Sequence, residues 1–234
     1  MHLGVNENMK TIVRNYSNLP CPDSLFGQIE NVNNIWQWKT INKIRKNELK
    51  LDVSIELVDE GQILENQHPR LILVLESPHY SEFNQAGIPI CAANGITGSN
   101  IYKHLCNVLN NVGNYLNNSS SLTDFLNSNI HNVIDVYVVN SISYQCSLGL
   151  RAINHIIKES NWVDEWYSSR NDFIKRCKIS VNSFFANLCT SGVYIPMKKI
   201  VKEELYANLC GKTKTYCEGP HPSTWSRIKR VEFN

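Results

Sequence analysis

A chain of 234 residues, 42% hydrophobic and 19% charged, is long enough to bury one sizeable core and too mixed in composition to be disordered or fibrous. A net charge of +2 does not by itself announce nucleic-acid binding and leaves that to a local basic patch, while eight scattered cysteines without a Cys-x-x-Cys pair in a chain this long exclude a small disulfide-framed domain and make free thiols the expectation. The longest apolar runs, Leu71 to Leu75 and Val136 to Val139, fall far short of the ~20 residues that cross a bilayer. Residues 1–16 hold no apolar stretch of signal length, so a cytoplasmic monomer with no membrane partner is expected.

Residues 1–50 carry Trp36, Trp38 and the basic cluster Lys39, Lys43, Arg45 and Lys46 without a strong strand pattern. They are expected to form a mainly helical or irregular cap on a core of residues 51–234. Val53 to Val58 alternates as a strand does. Arg70 is followed by Leu-Ile-Leu-Val-Leu, a continuous apolar run suited to a strand buried on both faces, which ends in Glu76-Ser77-Pro78-His79. A helix is predicted from about Ser99, a fitting N-cap, with Ile101, Leu105, Val108 and Leu109 on one face.

The second buried strand, Val136 to Val139, ends at Asn140. Helices are predicted over 150–158 and 164–190, then a short strand over 192–196 closed by Pro196. Residues 198–209 read as a helix, with Gly211 as its stop signal. A last short strand over 214–218 runs into Gly219-Pro220-His221-Pro222-Ser223.

Strands separated by helical stretches predict one α/β domain with a central four-stranded, mainly parallel sheet flanked by helices. Ligands bind such sheets beyond the carboxyl ends of the strands. Three segments of unusual chemistry fall there: 76–80, 140–146 and 218–225. A nucleotide-binding or serine-hydrolase reading has no support, because the chain lacks GxxxxGK[ST], GxGxxG and GxSxG.

In order and context these segments resemble the signature segments of the uracil-DNA glycosylase superfamily. Leu75-Glu76-Ser77-Pro78-His79-Tyr80 stands where that family has a strand ending in a Pro-containing, water-holding loop. Val138-Val139-Asn140 looks like the strand whose terminal asparagine reads the flipped base, and His221-Pro222-Ser223 matches the late His-Pro-Ser. Asn100 to Leu105 is similar to the start of the helix after the pocket loop. The likeness covers about residues 70–230 and implies a glycosylase that turns a base out of DNA and hydrolyses its N-glycosidic bond.

The chemistry needs these residue types. Cleavage builds positive charge on the sugar and negative charge on the leaving base. The resemblance implies that His221 stabilises the base, that Glu76 orients water and steadies the sugar cation, and that Ser77 stands beside them in the catalytic set. It also implies that Asn140 pairs with the base edge through its donor and acceptor, with Pro78, His79 and Ile90 around the base. Structural alternatives remain open: Asn140 as a cap, Glu76 as a surface loop carboxylate, and His221 as a turn residue between prolines.

Ser77 replaces the aspartate of uracil-specific members, which leaves Glu76 as the water-activating group. His79 replaces a tyrosine that crowds out larger bases, and Ile90 falls where a stacking phenylalanine is expected. These changes predict a wider pocket and a modified cytosine in phage DNA as substrate, unless Tyr80, Phe83 or Tyr144 turns in to narrow it. Uracil excision in repair and a catalytically silent DNA-binding protein of the same fold are the alternatives. Ser223, Trp225, Arg227, Lys229 and Arg230 are expected at the DNA, with Trp225 as the wedge that fills the emptied stack, or else packed in the core. No cofactor or metal is expected: only Cys21 stands near the close cysteine pair that holds the family's iron–sulfur cluster, and Cys210, Cys217 and His221 make a poor zinc set.

Overall fold

The computed structural model describes residues 19–45, 55–58, 68–112, 120–146, 152–177, 182–190, 197–210 and 215–227. The strands are β1 (Ser24–Val32), β2 (Ile35–Asn42), β3 (Glu56–Val58), β4 (Arg70–Leu75), β5 (Ile134–Asn140), β6 (Ser183–Asn187) and β7 (Tyr216–Glu218). The helices are α1 (Ile96–Val112), α2 (Ser120–Ser128), α3 (Ala152–Cys177) and α4 (Met197–Leu205). All seven strands join one sheet in the order β3-β2-β1-β5-β4-β6-β7. The sheet is therefore larger than the expected four strands. Strands β5, β4, β6 and β7 run parallel, while β1 is antiparallel to both β5 and β2. Among the described residues no helix is long and apolar enough to cross a membrane.

Alternation along each strand divides the core in two. On one face Leu71, Leu73 and Leu75 of β4, Val136 and Val138 of β5 and Phe184 of β6 meet Ile101, Leu105 and Leu109 of α1 and Leu122 and Leu126 of α2. On the other face Ile72, Val74, Val139 and Phe185 meet Trp162, Trp166 and Phe173 of α3 and Met197, Val201 and Leu205 of α4. Helices thus cover both faces, which is what a strand apolar at every position requires.

The N-terminal cap is corrected: where helix or irregular chain is expected, β1 and β2 form a hairpin. Asn33 and Asn34 both take left-handed φ, 53° and 65°, the turn whose twist suits a two-residue hairpin loop. The register slips at Gln28/Ile29, and a Cβ at Gly27 would collide with the Thr40 carbonyl oxygen, so only glycine lets the two backbones approach there.

Other boundaries also move. The two helices expected between 150 and 190 are one helix, α3, which stops at Cys177, and Ser183-Phe184-Phe185-Ala186-Asn187 is a buried strand. α1 begins at Ile96, so Ser99 lies inside its first turn with its N–H on the Gly95 carbonyl, 2.9 Å away, and is no cap. α4 runs into a π-helical turn over Tyr206–Cys210. The strand expected over 192–196 and the stop at Gly211 lie outside the described residues.

Candidate active site

Parallel pairing sets Leu75 opposite Asn140, Val74 opposite Asn187, and Asn187 opposite Glu218, so β4, β5, β6 and β7 end together at one edge. Glu76 is the first residue beyond β4. Its carbonyl oxygen accepts from Ser141 Oγ at 2.5 Å, Trp162 Nε1 at 2.9 Å and the Ile142 N–H at 3.2 Å. Three donors from the next strand end and from α3 leave this residue one backbone position. Its buried carboxylate accepts the Thr190 N–H at 3.0 Å through Oε2, and the same oxygen stands 3.6 Å from His221 Nε2. Glu76 is therefore no surface loop residue.

His221 follows β7 and is held by its own loop. The Ser223 N–H donates to Nδ1 at 3.2 Å, and Ser223 Oγ is 2.8 Å from the same nitrogen. A backbone N–H can only donate, so Nδ1 is the acceptor and the hydrogen of the neutral ring sits on Nε2, facing Glu76. The loop is fixed from outside, since Asn100 of α1 donates through Nδ2 to the Pro222 carbonyl at 2.8 Å and Lys198 of α4 donates to the Gly219 carbonyl at 2.5 Å.

Asn140, the last residue of β5, is 0% exposed. Its carbonyl accepts from Arg176 Nη2 at 3.0 Å, and Arg176 also grips both Asp23 carboxylate oxygens at 2.7 Å and Asp172 at 2.8 Å. Its amide donates through Nδ2 to Glu82 Oε2 at 3.1 Å, while Oδ1 has no hydrogen-bond partner among the described residues. Ser77 Oγ is likewise buried and unpartnered. Buried polar atoms are nearly always paired, so these two, at the adjacent ends of β4 and β5, hold unused bonding capacity among the described residues.

Pro78 is buried next to Ser77. His79 turns back on its own loop: its ring nitrogen Nδ1 is 3.1 Å from Ser81 Oγ, and its ring centroid is 4.1 Å from that of Tyr80. Ile90 is half-buried, with its N–H on the Glu82 carbonyl at 2.8 Å. Phe83, bridged to Pro89, is 8% exposed and belongs to neither core cluster, which leaves an aromatic ring buried in this loop.

The wedge is corrected. Trp225 is 1% exposed, packs in the same core as Leu75 and Ile101, and donates through Nε1 to the Pro220 carbonyl at 2.9 Å. Its ring holds the His221 loop onto the core, the alternative expected for it. Ser223 serves His221, and Arg227 is exposed at the end of the 3-10 turn Pro222–Arg227. Lys229 and Arg230 lie outside the described residues.

Sequence reasoning missed Glu82. It is 3% exposed, in the short turn after His79, and its Oε1 accepts the His79 N–H at 3.2 Å. Burial pushes its pKa up to about 7, against the pull of the His79 N–H, the Asn140 amide, the Ala93 N–H and the Cys21 thiol. Its signal was the spacing of a capping box, disguised because histidine occupies the capping position usually held by serine or threonine. Comparison of the chain with family models, curated proteins and solved structures found no match.

Proposed function

We propose that this chain is a DNA glycosylase that hydrolyses the N-glycosidic bond of a base turned out of DNA and leaves an abasic site. The observation that supports the reading best is the meeting of Glu76 and His221, from the ends of β4 and β7, at 3.6 Å, with Asn140 and its unpartnered Oδ1 at the end of the strand paired with β4. A carboxylate and an imidazole N–H side by side suit a reaction that develops opposite charges on neighbouring groups.

In this mechanism the C1′–N bond breaks and its electron pair leaves with the base. The Nε2–H of His221 donates to the base oxygen on which that charge collects. Glu76 faces the sugar, steadies the cation and orients the water whose oxygen bonds to C1′, taking the proton that this water loses. Asn140 pairs with the base edge, and Ser77 Oγ offers a further hydrogen bond to water or base. Arg227 is a phosphate contact, and no indole wedge takes part.

A modified cytosine of phage DNA is the proposed substrate, because His79 and Ile90 stand where bulkier pocket residues would favour uracil. Phe83 favours a second reading, uracil excision, since a buried ring in this loop can stack on a small base. Duplexes carrying uracil, hydroxymethylcytosine or glucosylated hydroxymethylcytosine, scored by alkaline strand cleavage and mass spectrometry of released bases, separate the two. Abasic sites only in uracil DNA restore the uracil reading. Abasic sites in none of them, nor in phage genomes of varied modification, overturn the enzyme and leave the silent DNA-binding protein.

A further inference from the structure

Behind the reacting groups lies a carboxyl group that the mechanism above does not use. Every described hydrogen-bonding neighbour of the Glu82 carboxyl is a donor: the His79 N–H to Oε1, Asn140 Nδ2 and the more distant Cys21 Sγ, at 3.7 Å, to Oε2, and the Ala93 N–H. An ionised carboxylate can only accept, so it dictates which way the Asn140 amide lies: amino group toward Glu82, carbonyl oxygen away. That oxygen is the open acceptor described above. The polarity of the base-reading residue is therefore set by its neighbour, not by Asn140 itself.

The surroundings leave Glu82 free to change state. Cys21 approaches from the segment before β1, and burial holds its thiol protonated far above the usual range. Cys91 and Asp23 act on Cys21, and Asp23 is itself clasped by Arg176. His79 presents its backbone N–H, while its ring is engaged with Ser81. No cation contacts the Glu82 carboxyl among the described residues. With Glu82 near neutrality in its titration, a protonated form needs one acceptor for its O–H, and Asn140 Oδ1 supplies it if the amide turns over. Cys21 has a substitute acceptor in the Pro22 carbonyl, 3.9 Å from Sγ.

We infer, on the reading of this site as a base pocket, that Glu82 is its specificity-determining positioning residue: ionised, it turns the Asn140 carbonyl toward the base, and protonated, it turns the amino group there instead. Uracil-type and cytosine-type edges carry their donor and acceptor in opposite order, so the two amide orientations rank them differently. The proton on Glu82 thereby couples pH to the choice of base.

The test is the ratio of excision rates on uracil-containing and hydroxymethylcytosine-containing DNA, measured with one enzyme below and above neutrality. Ionisations that affect both reactions equally cancel in the ratio. The wild-type ratio should shift about tenfold across neutrality, the scale of one mis-set pair of base hydrogen bonds. In Glu82→Gln, which carries its own amide donor and does not titrate, the ratio should be flat. A flat wild-type ratio, or an unchanged slope in Glu82→Gln, overturns the inference while excision itself stands. The Asn140 side-chain amide NMR signals, assigned by their loss in Asn140→Asp, provide a readout independent of activity. They should titrate near neutrality in the wild type, and their failure to move overturns the coupling even if Glu82→Gln does not fold. If neither DNA is cut, the amide titration decides whether Glu82 turns Asn140, and the glycosylase reading falls only if the glucosylated duplex and the phage genomes named above also stay intact.

Discussion

Strands β4, β5, β6 and β7 end at a common edge, and Glu76, Asn140, Thr190 and His221 lie at or just beyond those ends, whereas β1 and β2 contribute packing and no residue of the candidate site. Trp36 shows the contrast. Its ring is buried against the core, and its backbone N–H and carbonyl are both bound by the Asn110 side chain of α1. Glu76 is as well buried, but its carboxylate faces the imidazole of another strand end. Burial alone therefore does not separate packing residues from candidate site residues here; what each buried group faces does.

Paired substitutions sharpen that contrast most. Glu76→Gln keeps the acceptor for the Thr190 N–H and removes the base, so excision should fall about a thousandfold with little change in Tm. Trp36→Ala should do the reverse, costing about 3–5 kcal/mol in urea unfolding while the folded fraction keeps its kcat/KM. Equal losses of activity and stability in both variants would erase the distinction between the two halves.

Trp225 tests the border between them, because it sits in the core yet braces the His221 loop. Trp225→Ala should cost about 3–5 kcal/mol and depress excision from duplex and single-stranded DNA alike. A stable variant defective on duplex alone would return the indole to the DNA.

A smaller effect is expected from Glu82. Its folded pKa of about 7 lies above the ordinary 4.5, so the folded state binds the proton more tightly. Stability is then full below about 4.5 and falls as pH rises through about 7, by on the order of 3 kcal/mol. Urea midpoints across this range should slope downward in the wild type and less so in Glu82→Gln. The smallest effect belongs to the hairpin turn. Asn34→Ala, which forces a β-carbon without amide help into a φ of 65°, should cost about 1–2 kcal/mol and leave the pH slope untouched.

The same division explains what could be read in the sequence. Strands β4 and β5 are legible because a strand covered on both faces is apolar throughout, and the abrupt change at Glu76 and Asn140 marks the edge where polar groups are wanted. Strand β1 is not, since Gln28, Glu30 and Asn31 interrupt its pattern. Gln28 is tolerated inside because Thr40 and Asp135, brought from other strands, satisfy its amide. Strand β6 hides behind a helical pattern in α3 that has no proline or glycine at its end. The role of Glu82 is hidden for a related reason, since its capping-box spacing points only to His79 while its partner Asn140 lies on β5, far along the chain. Trp225 has the reach of a wedge in sequence, and only packing shows that the ring points inward.

The antiparallel pairing of β1 with β5 also governs when the protein can be completed. Ser24 pairs with Val138 and Ile29 with Ile134, whereas the β1–β2 hairpin closes locally through Asn33 and Asn34. On the ribosome the hairpin is available early, but the backbone edge over Ser24 to Ile29 has no partner until β5 emerges. Distant pairing of this kind slows folding and leaves an open strand edge that other chains can join. A nascent chain halted before Ile134 therefore carries a sticky edge, and one released after Asn140 has the strand that seals it.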